Sequence, residues 1–487
     1  MNCEKDLDQR PLLDRLDQVM QNTGGRSWLR KWAILAIFVL GTAGLFALPL
    51  AFGRAPGVSD FFPWFVDNFH RFLVVHVDFS FVVFFLCIFA ATAHITVFRL
   101  SNGAPRFMVM EYLAFRISIM AVVGMFIPVF PVSPGFAVIF PMLAGEPVMS
   151  NYVPVLTSPL FYTSLLVLAI AMALMAVMVI LNVILRPTAH TKEHGFGVDL
   201  FSLGGMTASV IYLIAFTHFI SSWLALYGMP NTHQFNEDLF WAGGHVLQFV
   251  NVTLLVMAWY AVASAVLKPI PFNPKAVVLA MAILSLGALV TPIFSSVFVV
   301  FGGVWRLAFT NLQYVFGIVG LIVALPLIRA VLTAPNKPWK NPGYVVLILS
   351  PAVFGIGGIM GLFVDGLDTR TPAHYHGMIA GVTLAFMGLF YVVFIPLMGR
   401  AINRPRMALV SVWMFGVSQA VACTGLFLAG GYGAQRKVAG AEQGLTDFAA
   451  KLGMGLNGGA GLLAIIGGAL FVWVAITAIL NKQEEAK

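Results

Sequence analysis

Residues 372–398 read Pro-Ala-His-Tyr-His-Gly-Met-Ile-Ala-Gly-Val-Thr-Leu-Ala-Phe-Met-Gly-Leu-Phe-Tyr-Val-Val-Phe-Ile-Pro-Leu-Met, and no Asp, Glu, Lys or Arg occurs between Arg370 and Arg400. A helix rises about 1.5 Å per residue and the hydrocarbon core of a bilayer is about 30 Å thick, so about 20 apolar residues suffice to cross it. This stretch is long enough. Its two histidines, His374 and His376, lie near one end and two residues apart, which turns their rings about 200° from each other around a helix axis. They cannot share one ligand, but they can reach two ligands on opposite flanks of the helix.

The rest of the chain repeats the pattern. Of its 487 residues, 60% are hydrophobic and only 10% charged, with a mean hydropathy of +0.90. A soluble chain carries roughly 25% charged residues, so a soluble enzyme, a secreted domain and a disordered chain are excluded. The length rule gives about twelve spans, at 32–53, 72–98, 108–131, 158–185, 200–227, 239–267, 276–302, 307–333, 344–365, 372–398, 407–430 and 456–480. The fold class expected is an all-α polytopic membrane protein, with an N-terminal segment 1–31, a membrane domain 32–480 and a tail 481–487. Span 1 is too long, and starts too late, to be a signal peptide. Cys3, Cys87 and Cys423 form no disulfide, zinc or covalent haem pattern.

The net charge of +8 belongs to short basic clusters between apolar runs, which points to membrane orientation and not to nucleic acid. Arg26, Arg30 and Lys31 precede span 1, and Arg99/Arg106, Arg186/Lys192, Lys268/Lys275, Lys337/Lys340 and Arg400/Arg404/Arg406 fall in alternate connections. Both termini and these loops are expected in the cytoplasm, in a cell (inner) membrane. Arg436 and Lys437 break the rule.

Of the ten histidines, His190 and His194 read as cytoplasmic loop residues, and His70 and His233 as outer loop residues. His76, His245, His374 and His376 fall near the outer ends of spans 2, 6 and 10, at similar depth. An imidazole inside a membrane needs a partner, and neutral imidazole is a common axial ligand of haem iron. Two haems flanking span 10 would use His374 and His376; polar cavities or neighbouring carbonyls would also satisfy them. His218 lies deeper, on span 5, and His94, near the inner end of span 2, reads as interfacial.

Ala373-His374-Tyr375-His376, followed by Gly381, Ala385, Met387-Gly388, Tyr391 and Pro396, resembles the tenth helix of subunit I of the haem-copper oxidase superfamily, which includes cytochrome oxidases and nitric oxide reductases. Gly430-Gly431-Tyr432-Gly433-Ala434-Gln435-Arg436-Lys437 is similar to the family's basic pair after span 11. The resemblance implies two haems, one low-spin between His76 and His376 and one high-spin on His374, with Arg436 and Lys437 on haem propionates. It places His245 where the family has the first of three copper-ligating histidines.

The family's other two copper ligands are an adjacent His-His pair on span 7, where this chain has Thr291-Pro292-Ile293-Phe294-Ser295-Ser296. Hydroxyls are poor copper ligands. His218 is a possible substitute, although a hydrogen-bonded role in its Thr217-His218 setting is preferred. Phe249 stands where the best-known oxidases carry a redox tyrosine. Carboxylates within spans are few, namely Asp78, Glu111 and Asp365, and form no continuous proton route from the cytoplasm.

The expectation is a haem-binding membrane oxidoreductase subunit without the usual copper centre or proton pumping, whose high-spin haem binds or reduces a small gas (O2 or NO). Its electrons would come from an outer-face cytochrome c, a copper protein or quinol, beside further subunits in the lipid. If it turns over, it is a respiratory-type oxidoreductase; the haem chemical type is not written in these residues. The alternatives are a non-catalytic accessory or gas-sensing haem subunit and a twelve-span secondary transporter.

Overall fold

Among the described residues of the computed structural model, twelve helices are long and apolar enough to cross a membrane: Gly25–Arg54, Phe69–Leu100, Met108–Val129, Pro159–Ile184, Leu200–Ala225, His233–Val266, Pro274–Val297, Gly303–Thr333, Pro342–Phe363, Arg370–Leu397, Pro405–Gly431 and Phe448–Leu480, here spans 1 to 12. The structure describes residues 12–21, 24–55, 57–185, 199–267, 273–364 and 366–481. His190, His194, Arg186, Lys192, Lys268 and Asp365 lie outside them.

Burial is uneven, and the inequality locates the site. In spans 2, 6 and 10, 72%, 83% and 83% of the apolar window is enclosed by protein, against 33% to 56% in the other nine. These central spans are apolar all round, as a helix buried on every side must be, and they carry His76, His245, His374 and His376. Span starts are marked locally. Ser158, Asp199 and Thr232 each cap a following helix by accepting an N–H three residues on. Pro159, Pro274, Pro342 and Pro405 sit at first-turn positions, where the missing N–H costs nothing.

Span 1 begins at Gly25, before the expected 32. Its basic first turns remain helical because their charges find partners: Arg26 bonds Asp17 at 2.6 Å and Lys31 lies over the Trp28 ring at 3.5 Å. Asp17 belongs to a short amphipathic helix, Leu12–Gln21, that buries Leu12, Leu16, Val19 and Met20. Span 7 breaks at Val290 and restarts at Thr291 with Pro292 in its first turn. Spans 2 and 10 each widen into a π-helical turn, at Asp78–Val83 and Phe390–Phe394.

Two loop contacts close over the end of the bundle that carries the histidines. Pro147–Val148 pairs antiparallel with Val155–Leu156, which fixes the intervening residues 149–154. Asp368 bridges Gln435, and Thr369 N–H donates to Ala434 carbonyl at 3.0 Å. This ties the loop after span 11 to the start of span 10. Gly433 permits the turn, with φ at +84°.

Candidate functional site

Spans 9 and 10 meet backbone to backbone. A Cβ on Gly357 would stand 2.5 Å from Met378 N, and one on Gly377 would stand 2.5 Å from Gly357 Cα. That approach brings His374 Nδ1 within 2.8 Å of Gly357 carbonyl. His376 Nδ1 lies 2.7 Å from Pro372 carbonyl one turn back, and His76 Nδ1 lies 3.0 Å from Ala43 carbonyl on span 1. A carbonyl only accepts, so in all three rings Nδ1 carries the proton and Nε2 presents a bare lone pair. These are the tautomers an axial metal ligand needs, with the ring oriented by the bond on its far nitrogen.

All three rings line one cavity of about 1770 Å³, well above the roughly 300–1,000 Å³ of an ordinary small-molecule site. It lies on both flanks of span 10. One side is walled by spans 1, 11 and 12, the other by spans 6, 8 and 9. His374 faces span 9, since a Cβ on Gly361 would touch its ring at 2.7 Å. His376 lies within electrostatic reach of His76 and Arg54. The opposition expected from the two-residue spacing is present. Gly44 and Gly461 on one side, and Gly317 and Gly355 on the other, line the cavity and have nothing within 4 Å of an added Cβ. Such bare backbone suits flat macrocycles, and the donor set fits haem iron.

Arg436 and Lys437 also line the cavity. Arg436 Nη2 donates to Asn151 Oδ1 at 2.9 Å, and Lys437 Nζ donates to Met149 carbonyl at 2.6 Å and to Asn151 Oδ1 at 3.2 Å. Asn151 is in turn held on Glu237, through its backbone N–H at 2.8 Å and its Nδ2 at 3.0 Å. Lys437 has a left-handed φ of +62°, and burial, with Arg436 beside it, pushes its amine down to about 8.

His245 lines the same cavity but is built differently. Its Nδ1 donates to Trp241 carbonyl at 2.7 Å, and its Nε2 accepts from the Tyr152 hydroxyl at 2.7 Å. Burial, with Tyr375 nearby, raises the Tyr152 phenol well above its usual range, so the hydroxyl stays protonated and donates. His218 Nε2 bonds Thr291 Oγ1 at 2.9 Å, which is the hydrogen-bonded role preferred for it. The Phe309 ring lies 5.8 Å from that of His245 and 5.6 Å from that of His218. In span 7, Ser295 Oγ accepts from Trp305 Nε1 at 3.2 Å, and Ser296 is exposed and bonds Ile293 carbonyl at 2.9 Å. Phe249 is fully buried against Phe316. Among the described residues no group of three or more His, Cys, Asp or Glu is placed to hold a metal ion.

His94 is fully enclosed by protein, with Nδ1 2.9 Å from Glu111 Oε2 and Nε2 2.9 Å from Gly25 carbonyl, while Trp32 Nε1 donates to Glu111 Oε1 at 3.0 Å. Asp78, also fully buried, has no hydrogen-bond partner for either carboxylate oxygen. Sequence reasoning missed Asn151, Tyr152 and Arg54. Only Arg54 leaves a signal, as an arginine at the end of an apolar run.

Comparison with known proteins agrees with this geometry. The model of the family described as cytochrome c and quinol oxidase polypeptide I matches residues 28–453. An uncharacterised protein of Rickettsia prowazekii (strain Madrid E) is 25% identical over 91% of this chain and 94% of its own length. One from Aquifex aeolicus (strain VF5) is 26% identical over 74% and 83%. The cryo-EM structure of a haem-copper terminal oxidase dimer shares the fold, with a TM-score of 0.70 at 14% identity, covering 95% of this chain and 85% of that one. Twelve spans, the histidine-lined cavity flanking span 10 and a family match over most of the sequence place this chain in the cytochrome c and quinol oxidase polypeptide I family, as a haem-copper oxidase subunit I-like protein.

Proposed function

We propose that, within this family of haem-binding oxidoreductases, the chain transfers electrons through a six-coordinate low-spin haem held by His76 and His376 to a five-coordinate, high-spin haem held by His374. The observation that carries this reading is the tautomer pattern: three imidazoles on two flanks of span 10 give Nδ1–H to backbone carbonyls and leave Nε2 open to one large cavity. Bound there, the haems supply one-electron chemistry and, at the second iron, an open position for a small gas such as O2 or NO. The chain's own part is to hold the rings, orient them and exclude water. Arg436, with Lys437 beside it, would neutralise haem carboxylates. Electrons would arrive at the outer face of the cell membrane from cytochrome c, a copper protein or quinol, with other subunits present and both termini in the cytoplasm.

The arrangement around His245 favours a chain without the usual copper centre. Its Nε2 is occupied by Tyr152, His218 is committed to Thr291, and Phe309 packs against both rings. The inner-end groups His94 and Glu111 are bonded to each other and to neighbouring spans, which favours a protein that does not pump protons. The same closure also favours a second reading, a non-catalytic haem accessory or gas-sensing subunit. A reduced-minus-oxidised spectrum of the purified protein, followed by carbon monoxide addition and an oxygen electrode, separates them. A low-spin α-band with carbon monoxide binding supports the haem assignment; oxygen or NO consumption marks an enzyme and its absence marks the accessory. No haem signal refutes both readings.

A further inference from the structure

We infer that the side-chain amide of Gln248 is the hydrogen-bond donor to a gas held on the His374 side of the cavity, and so a residue that sets which small gas is held there. This rests on the haem reading above. Gln248 lies on span 6, three residues after His245, so the two side chains leave the same face of the helix. Both line the cavity. His374 comes from span 10 and faces span 9. The imidazole and the amide therefore stand on different walls, and an iron held by His374 keeps its open position on the side away from that ring.

Neighbouring donors in this part of the lining are spent on the protein. Tyr152 donates to His245 Nε2, Trp241 Nε1 and Thr310 Oγ1 donate to Arg306 carbonyl at 3.3 and 3.0 Å, Gln313 Nε2 donates to His245 carbonyl at 3.1 Å, and Trp259 Nε1 donates to Ser350 Oγ at 2.8 Å. Gln248 forms no hydrogen bond to any described residue. An amide without a partner inside a membrane span is costly, and it offers two N–H donors to whatever enters the cavity. Aromatic rings stand beside it: Phe249 packs on Phe316, and the Phe309 ring lies 5.8 Å from that of His245. In such surroundings a donor acts more strongly than in water. It also discriminates, because a gas that gathers negative charge on its outer atom accepts the bond better than carbon monoxide does, so Gln248 favours O2 or NO over carbon monoxide.

The test is the infrared stretching band of carbon monoxide, and the rate at which nitric oxide leaves, in the reduced full-length protein for the unaltered chain, Gln248→Met, Gln248→Asn and Gln419→Met. Methionine fills a similar space without donors. Gln419, on span 11, lines the opposite flank, so its variant reports the loss of an amide from the cavity at large. We expect Gln248→Met to raise the carbon monoxide stretching frequency and to speed nitric oxide release about two- to tenfold, the worth of one hydrogen bond. Gln248→Asn, whose amide is withdrawn by one methylene, should shift both in the same direction by less, and Gln419→Met should shift neither. Gln248→Asn alone decides the matter if Gln248→Met does not fold. If carbon monoxide binds and both Gln248 variants keep the unaltered band and rate, or if Gln419→Met shifts them as far, the inference is wrong while the haem reading stands. No carbon monoxide band in the unaltered protein overturns the haem reading at His374 itself.

Discussion

At His76, His374 and His376 the backbone takes one ring nitrogen and the other faces open cavity; at His245 and His94 protein groups take both. Residue type and depth do not distinguish His245 from its neighbours, which share its cavity. What differs is whether a second protein group reaches Nε2. The structure therefore separates histidines with one open ring nitrogen from histidines with both nitrogens bonded; the proposal that the first set holds an external ligand is what experiments can break.

The largest effect should come from the open set. His376→Leu or His76→Leu should abolish the low-spin α-band while sparing most of the second haem's signal, and His374→Leu should do the reverse, removing carbon monoxide binding and keeping the α-band. Unchanged spectra in all three would show that open Nε2 atoms do not mark ligands. In the closed set, His94→Leu should leave both spectra alone and destabilise the protein by about 1–3 kcal/mol, because Glu111 and the Gly25 carbonyl each lose a buried hydrogen-bond partner. Thermal unfolding of the purified protein checks this, and loss of a haem band instead would place His94 in the wrong class.

The lines along which sequence reasoning succeeded and failed follow the same division. Spans and the opposed rings of His374 and His376 are local properties, set by apolar run length and by 3.6 residues per turn, so they are legible in one stretch of chain. Tyr152 on His245 spans 93 positions and His94 near Gly25 spans 69, and neither local periodicity nor hydropathy encodes such pairings. Arg54 ends an apolar run in the sequence, and only the structure sets it in the cavity wall. Composition places the start of span 1 late because Arg26, Arg30 and Lys31 interrupt the apolar run, whereas in the structure Asp17 and the Trp28 ring accommodate Arg26 and Lys31 within the helix.

Smaller effects refine the comparison. Arg436→Ala should lower the low-spin midpoint potential moderately, since a positive charge near the iron favours the reduced, less positive state, and the shift should shrink with salt because the site is partly exposed. An optical titration at low and high ionic strength checks it; no shift at low salt places Arg436 away from the haem. Tyr152→Phe should have the smallest effect: it frees His245 Nε2 without supplying other metal ligands, so the haem spectra and the metal content should barely change.

Haem and copper analysis of one purified sample tests the central claim most directly. The account predicts about two haems and well under one copper per chain, with little oxygen consumption when cytochrome c is the donor. Stoichiometric copper together with rapid oxygen reduction would contradict it, and would mean that His245 leaves Tyr152 to join a rearranged binuclear site.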